Sequence, residues 1–229
     1  MRIIAGSARG RVLKSLRSRA LRPTADRVRE SVFAVLGERV KEARFLDLYA
    51  GAGGVGLEAV SRGASLATFV ESHRPAGRVI EENASLCGFE KQVRVIIAPV
   101  ERGLAVLRRE GAVFDLIFVD PPYDRGELGA GLARLGQWPE MLAENGLLIV
   151  QRSRHEEPGE LRAFRRMRSL RYGETVVELY QRWTQEDGRV AAQPRPRRQE
   201  RCRRQLPRDG VGGPMGLATD APAQREVRQ

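Results

Sequence analysis

The sequence predicts an α/β fold: a doubly wound, mostly parallel sheet of about seven strands with an antiparallel hairpin at one edge. Three observations carry this. Short apolar runs alternate with helical patterns from Ala43 to Val150, the signature of βαβ units. A glycine-rich stretch follows the first of these runs and opens a helix. Beyond Val150 the pattern becomes two strand-like stretches around Tyr172-Gly173, which suit an antiparallel edge.

Taken in order, Met1 to about Pro23 is a basic arm, with Ile3-Ile4 and Val12-Leu13 set among Arg9, Arg11, Lys14, Arg17, Arg19 and Arg22. It lacks a helical period and is expected to form a short hairpin on the body. Thr24 is expected to cap a helix running to about Lys41, with Asp26 and Glu30 in its first turns and Val28, Val32, Phe33 and Leu36 on its apolar stripe. Strands are expected at Phe45 to Tyr49, Leu66 to Glu71, Val93 to Ile97, Phe114 to Val119 and Leu147 to Val150. Helices are expected at Gly54 to Arg62, Pro75 to Leu86 and Glu101 to Arg109, with helix and loop from Arg125 to Ala143; Gly63 and Gly88 fall where C-caps belong. After Trp183, residues 184–229 hold five Pro, five Gly, ten Arg and no aromatic residue, so burial cannot offset the entropy of ordering them. The expected division is an arm and helix at 1–42, an α/β domain at 43–183 and a disordered tail at 184–229.

The formal charge of +11 on 229 residues is segregated: +7 over residues 1–30, zero over 31–183 and +4 over 184–229. Clustered cations release counterions from neighbouring phosphates, which makes nucleic acid the first candidate partner. Only 3 of the 40 basic residues are Lys, so an Arg bias accounts for the residue type but not for its segregation. Two cysteines, Cys87 and Cys202, and two histidines, His73 and His155, exclude a disulfide framework and argue against a metal site. No run approaches the ~18 apolar residues of a membrane span, and Met1 to Gly10 has no apolar h-region, so a soluble, cytoplasmic protein is expected; a monomer is the expected state.

The first motif that carries chemistry is Asp47-Leu48-Tyr49-Ala50-Gly51-Ala52-Gly53-Gly54-Val55-Gly56. Its glycines let backbone approach a ligand, and the helix that follows presents N–H groups to polar or anionic atoms. Glu71, at the end of the second strand, can accept hydrogen bonds from ribose hydroxyls. A nucleoside-containing cofactor is expected, and this motif alone leaves a nicotinamide cofactor and S-adenosylmethionine both open. The bland alternative is a glycine-rich turn with no ligand.

The second motif, Asp120-Pro121-Pro122-Tyr123, follows the fourth strand and so lies at the carboxyl edge where ligands bind. It suits an exocyclic aromatic amine, whose lone pair is delocalised into the ring. Asp120 and the Pro121 carbonyl supply acceptors for its two N–H groups. The prolines fix the backbone and Pro121 brings no competing N–H, so the acceptors are preset. Tyr123 offers a ring on which a flipped base can stack. A Pro-rich turn with Tyr123 as packing is the bland alternative. Trp138 and Trp183 read as packing, and Asn83 as a weaker candidate for ordering the sheet edge.

Together the two motifs resemble class I S-adenosylmethionine-dependent amino-methyltransferases. Arg2-Ile-Ile-Ala-Gly6, Arg9-Gly10-Arg11, Leu21 to Glu30 and Gly56 to Ala64 narrow the likeness to the RsmD-type enzymes that methylate a guanine at N2 in bacterial 16S ribosomal RNA. The resemblance spans about residues 1–183 and implies a Rossmann-like methyltransferase domain and a 16S rRNA or assembling small-subunit partner. It implies that Asp47, Ala50, Gly51 and Gly53 line the methionine part of the cofactor and that Glu71 holds its ribose. The Val100 N–H is left to serve the adenine ring. Asp120, Pro121, Pro122 and Tyr123 would hold the guanine, while Arg9, Arg11, Arg22, Arg27 and Arg29 would face RNA or order the catalytic edge. The chain departs from the family pattern at Ala34, His73 and Pro99, the last two beside the expected adenosine site. The rival enzyme is an amino-methyltransferase for adenine N6 or a glutamine amide; the rival outside enzymes is an RNA-binding assembly factor.

Overall fold

The computed structural model describes residues 1–15, 23–122 and 127–183. Tyr123, Arg22 and the expected tail at 184–229 lie outside the described residues. The described residues form one compact unit.

Five strands, β1 (Arg44–Leu48), β2 (Leu66–Glu71), β3 (Val93–Ile97), β4 (Phe114–Val119) and β5 (Leu142–Ser153), are mutually parallel, and β6 (Phe164–Tyr172) and β7 (Thr175–Arg182) form the antiparallel edge. The sheet order is β3-β2-β1-β4-β5-β7-β6, so the winding direction reverses between β1 and β4. The helices are α1 (Pro23–Leu36), α2 (Gly54–Ser61), α3 (Arg74–Cys87), α4 (Val100–Arg109) and α5 (Glu127–Gln137).

Both faces of β1, β2 and β4 are covered, which is why those strands read as nearly continuous apolar runs. Phe45, Phe69, Leu116, Phe118 and Ile149 pack with α1, α2 and α3 on one face, and Leu46, Leu48, Ile117, Val119 and Leu148 pack with α4 and α5 on the other. Each fully buried Phe or Leu side chain contributes ~1.5–3 kcal/mol by leaving water.

The arm folds as a short hairpin. Arg2 bridges Val12, the Ile3 amide donates to the Arg11 carbonyl at 2.9 Å, and the Leu13 amide donates to the Met1 carbonyl at 2.9 Å. Ile3 and Leu13 turn inward and join the core beneath α1.

The boundaries of three elements differ most from expectation. α1 begins at Pro23, which puts Thr24 inside the first turn; it stops at Leu36, because Gly37 takes φ 53° and the chain continues as a 3-10 turn to Val40. β1 stops at Leu48, with Tyr49 at φ 60°. β5 starts five residues before Leu147, its register with β4 shifting between Phe114 and Leu116.

Candidate active site

Parallel pairing brings the two motifs together. Leu48 is in register with Val70 on one side and Val119 on the other, so Tyr49, Glu71 and Asp120 leave the sheet at one level on three adjacent strands. This level is the carboxyl edge at the reversal of strand order, where open α/β sheets bind ligands. The Asp120 amide donates to the Leu48 carbonyl at 3.5 Å, and Asp120 is half-buried. Pro121 is buried and Pro122 half-buried behind it.

The glycine motif forms a tight turn into α2. The Gly53 amide donates to the Ala50 carbonyl at 2.8 Å, and Gly53, at φ 81°, stands at the helix N-cap. Glu71 holds this turn from β2. Its Oε2 accepts from the Gly51 amide at 2.7 Å and its Oε1 from the His73 amide at 2.8 Å. Both carboxylate oxygens are thereby oriented while each keeps a lone pair for a further donor. At His73, therefore, the backbone serves Glu71 and the side chain is exposed.

Asp47 lies within β1, 2% exposed, its Oδ2 accepting from the Gly56 amide at 2.9 Å. Burial pushes its pKa up to about 8 against the opposing pull of that amide, and the Asp120 and Glu71 carboxylates push the same way. A Cβ at position 56 would stand 3.2 Å from that oxygen and 2.3 Å from the Phe69 ring, so only glycine lets α2 approach β1 this closely. Val100 begins α4 just beyond β3 at the same edge, where its N–H is one of the donors a helix start leaves without an internal partner.

Of the arginines assigned to RNA, Arg9, Arg11 and Arg27 are exposed. Arg29 faces inward instead, and this corrects its assignment to an RNA-facing surface. It is 5% exposed, its Nη2 donates to the Arg2 carbonyl at 2.6 Å and to Asp26 Oδ1 at 3.1 Å, and burial lowers its pKa. Its role is to fasten the arm to α1.

Three buried polar residues that dock the arm escaped full notice in the sequence. Glu58 is 0% exposed and accepts the Ile4 and Ala5 amides at 2.7 and 3.0 Å and Arg62 Nε at 2.7 Å. Ser61 Oγ accepts the Ala8 amide at 3.0 Å and donates to the Ala5 carbonyl at 2.6 Å. Asn83 takes the Lys14 amide on Oδ1 at 2.7 Å and donates from Nδ2 to the carbonyls of Lys14 and Ala52, each at 3.1 Å. One side chain thus joins the basic arm to the glycine turn. The usable signal was Glu58 and Ser61, three apart on an otherwise apolar α2.

Another cluster lies on β5 to β7. Buried Glu178 accepts from Arg152 at 3.1 Å, Arg166 at 2.9 Å and the Tyr180 hydroxyl at 2.8 Å. Burial alone would raise its pKa, but these donors outweigh it and hold the carboxyl below its ordinary value. Trp138 packs beneath the guanidinium groups of Arg108 and Arg134 at 5.0 and 5.2 Å, far from the carboxyl edge. Among the described residues, no group of three or more His, Cys, Asp or Glu can hold a metal ion, and no helix is long and apolar enough to cross a membrane.

The donor set fits a cationic nucleoside ligand. Glu71 and Asp120 leave the sheet at one level, with Glu71 oriented to accept hydroxyl hydrogen bonds and the protonated Asp47 buried beneath the glycine turn. Comparisons with known proteins agree on the kind of chain. A family model described as Conserved hypothetical protein 95 matches residues 1–181. The Bacillus subtilis protein YlbH is 35% identical over 183 residues, covering 80% of this chain and 99% of its own. Ribosomal RNA small subunit methyltransferase D of Escherichia coli strain K12 is 37% identical over 153 residues, 66% of this chain and 74% of its own. The solved structure of the Escherichia coli protein yhhF superimposes with a TM-score of 0.69 at 33% identity, covering 80% of this chain and 97% of that one.

Proposed function

The chain belongs to the family described as Conserved hypothetical protein 95, a kinship that makes it an S-adenosylmethionine-dependent methyltransferase of ribosomal RNA, and we propose that its target is the exocyclic N2 of a specific guanine in 16S rRNA. The observation that carries the reading is the common level of the Glu71 carboxylate, the Gly51 turn and Asp120 at the carboxyl edge.

When bound, S-adenosylmethionine supplies a methyl group already activated by its sulfonium. The chain's task is then alignment more than activation. Glu71, oriented by the Gly51 and His73 amides, accepts the ribose hydroxyls. The Gly51 and Gly53 backbone, with Asp47 and Ala50 beside it, lines the methionine part, and the Val100 N–H meets the adenine ring. Asp120 and the Pro121 carbonyl accept the two N–H bonds of the target amine and favour the pyramidal nitrogen that attacks; Pro122 stiffens the turn and Tyr123 stacks the base. Arg9, Arg11, Arg22 and Arg27 take up RNA phosphates, and the family likeness points to the 16S rRNA of an assembling small subunit as the partner. Exposure of Arg9, Arg11 and Arg27 supports that assignment.

The test is transfer of labelled methyl to small subunits from cells lacking this protein, followed by nucleoside analysis. The expected product is N2-methylguanosine in 16S rRNA. Label in N6-methyladenosine or in protein would replace the guanine assignment.

A further inference from the structure

The neutral charge of residues 31–183 conceals a segregated basic edge. From Leu161 to Gly173 the chain holds five arginines, Arg162, Arg165, Arg166, Arg168 and Arg171, and no Asp or Glu. Most of this segment is β6, which among the described residues is an edge strand paired with β7 alone. Arg162, Arg166, Arg168 and Arg171 are exposed, as is Met167. Arg166 is tied to Glu178 and Arg162 to Glu160; among the described residues, no acid forms an ion pair with Arg168 or Arg171. Trp183, 42% exposed with the Arg165 guanidinium 5.6 Å from its ring centre, closes the far end of the same strand.

Register places this edge relative to the site. Ser169 pairs with Glu178, Glu178 with Val150, and Val150 with Val119, the residue before Asp120. Arg168 and Arg171 therefore bracket the level of Asp120, three inter-strand spacings away, or ~14 Å across the sheet. The arm lies toward the other side, docked on α2 and α3. Asp120 thus stands between two basic elements.

Charges on an outer strand ordinarily serve to block edge-to-edge pairing. That role requires neither the absence of counter-acids over thirteen residues nor alignment with the catalytic level. We propose that the β6 edge is a second RNA-docking surface, which takes the phosphodiester backbone of the substrate on the side of Asp120 away from the arm. The inference rests on the rRNA assignment above.

The experiment compares the full chain with its R168Q/R171Q variant in methyl transfer to small subunits across a salt series. The expected result is a rise in KM for RNA on the order of tenfold with kcat little changed, and a slope of log KM against log salt smaller by about 1.4–1.8, because two phosphate contacts are lost. R168K/R171K, which keeps the charges, should restore both. An unmoved KM and slope, or a variant that merely self-associates in sedimentation while its slope stays that of the wild type, would overturn the docking surface. Wild-type transfer is read in the same assay: its absence fails the rRNA assignment, whereas transfer with an unmoved slope fails the β6 surface alone.

Discussion

The amide of Gly51, in the turn after β1, donates at 2.7 Å to the carboxylate of Glu71 at the end of β2. One carboxylate thereby fixes the shape of the glycine turn and keeps lone pairs for the cofactor proposed to bind at this edge. Glu71→Gln keeps the side chain's size but turns one oxygen into a donor facing an amide N–H. A charge-assisted hydrogen bond is worth ~1.5–3 kcal/mol, so affinity for S-adenosylmethionine should fall by about 10- to 150-fold, with Glu81→Gln on the exposed face of α3 as the control. Calorimetric titration of both variants checks this; equal affinities would remove Glu71 from the cofactor site.

Asp120 should behave in the opposite way. It follows β4 at the level of the Gly51 turn, and its proposed partner is the amine that accepts the methyl group. Asp120→Ala is expected to bind S-adenosylmethionine within a few fold of wild type while single-turnover transfer falls by about 10²–10⁴. A variant that transfers at the wild-type rate would show that the amine is held elsewhere.

The strands of the parallel sheet were legible because β1, β2 and β4 are buried on both faces and the apolar run of the half-exposed edge strand β3 is bounded by turn residues, and the two motifs were legible because both sit directly at strand ends. What stayed hidden were the contacts that only the folded chain makes. Glu144-Asn145-Gly146 looks like a loop before Leu147, yet the strand runs through it, because the shift of register between Phe114 and Leu116 lets pairing resume. Arg29 shares the charge of its neighbours Arg22 and Arg27, and charge alone does not tell it from an RNA-facing residue. Its spacing said otherwise: Phe33 and Leu36 stand four and seven residues on, so it shares their buried face. The β6 arginines vanished in an average, since distributed acids elsewhere in 31–183 cancel them.

Asp47 gives the stability a pH dependence whose sign is fixed. Its folded pKa is raised to about 8 from 3.8, with burial the largest cause, so between these values the folded chain holds a proton that the unfolded chain has lost. Stability from this group is complete below about pH 4 and declines as pH rises toward 8, with a limiting slope of ~1.4 kcal/mol per pH unit. Asp47→Asn keeps an oxygen for the Gly56 amide and cannot titrate. Urea unfolding at successive pH values should show wild type losing ground against the variant from pH 5 to 8 and running parallel above. Parallel curves throughout would mean that Asp47 is ionised in the folded protein at neutral pH.

Two glycines of the arm isolate the energetics of its docking. Gly6 and Gly10 share nearly the same backbone, φ 86° and 84°, so alanine at either pays the same left-handed strain, about 1–2 kcal/mol. Their surroundings differ. A Cβ on Gly10 meets nothing within 4 Å, whereas one on Gly6 would stand 1.7 Å from the Ser61 carbonyl oxygen, the acceptor of the Ser7 amide. Gly6→Ala must push the arm off α2, breaking the bonds of Ile4 and Ala5 to Glu58 and leaving that buried carboxylate short of donors. Its destabilisation should therefore exceed that of Gly10→Ala by roughly 2 kcal/mol or more. Hydrogen exchange at the Ile4, Ala5 and Ala8 amides should quicken in Gly6→Ala alone. Because Asn83 joins Lys14 to Ala52, the same variant should also weaken S-adenosylmethionine binding, and Gly10→Ala should not. Matching urea midpoints and exchange rates for the two variants would show that the arm rests on α2 without being held there.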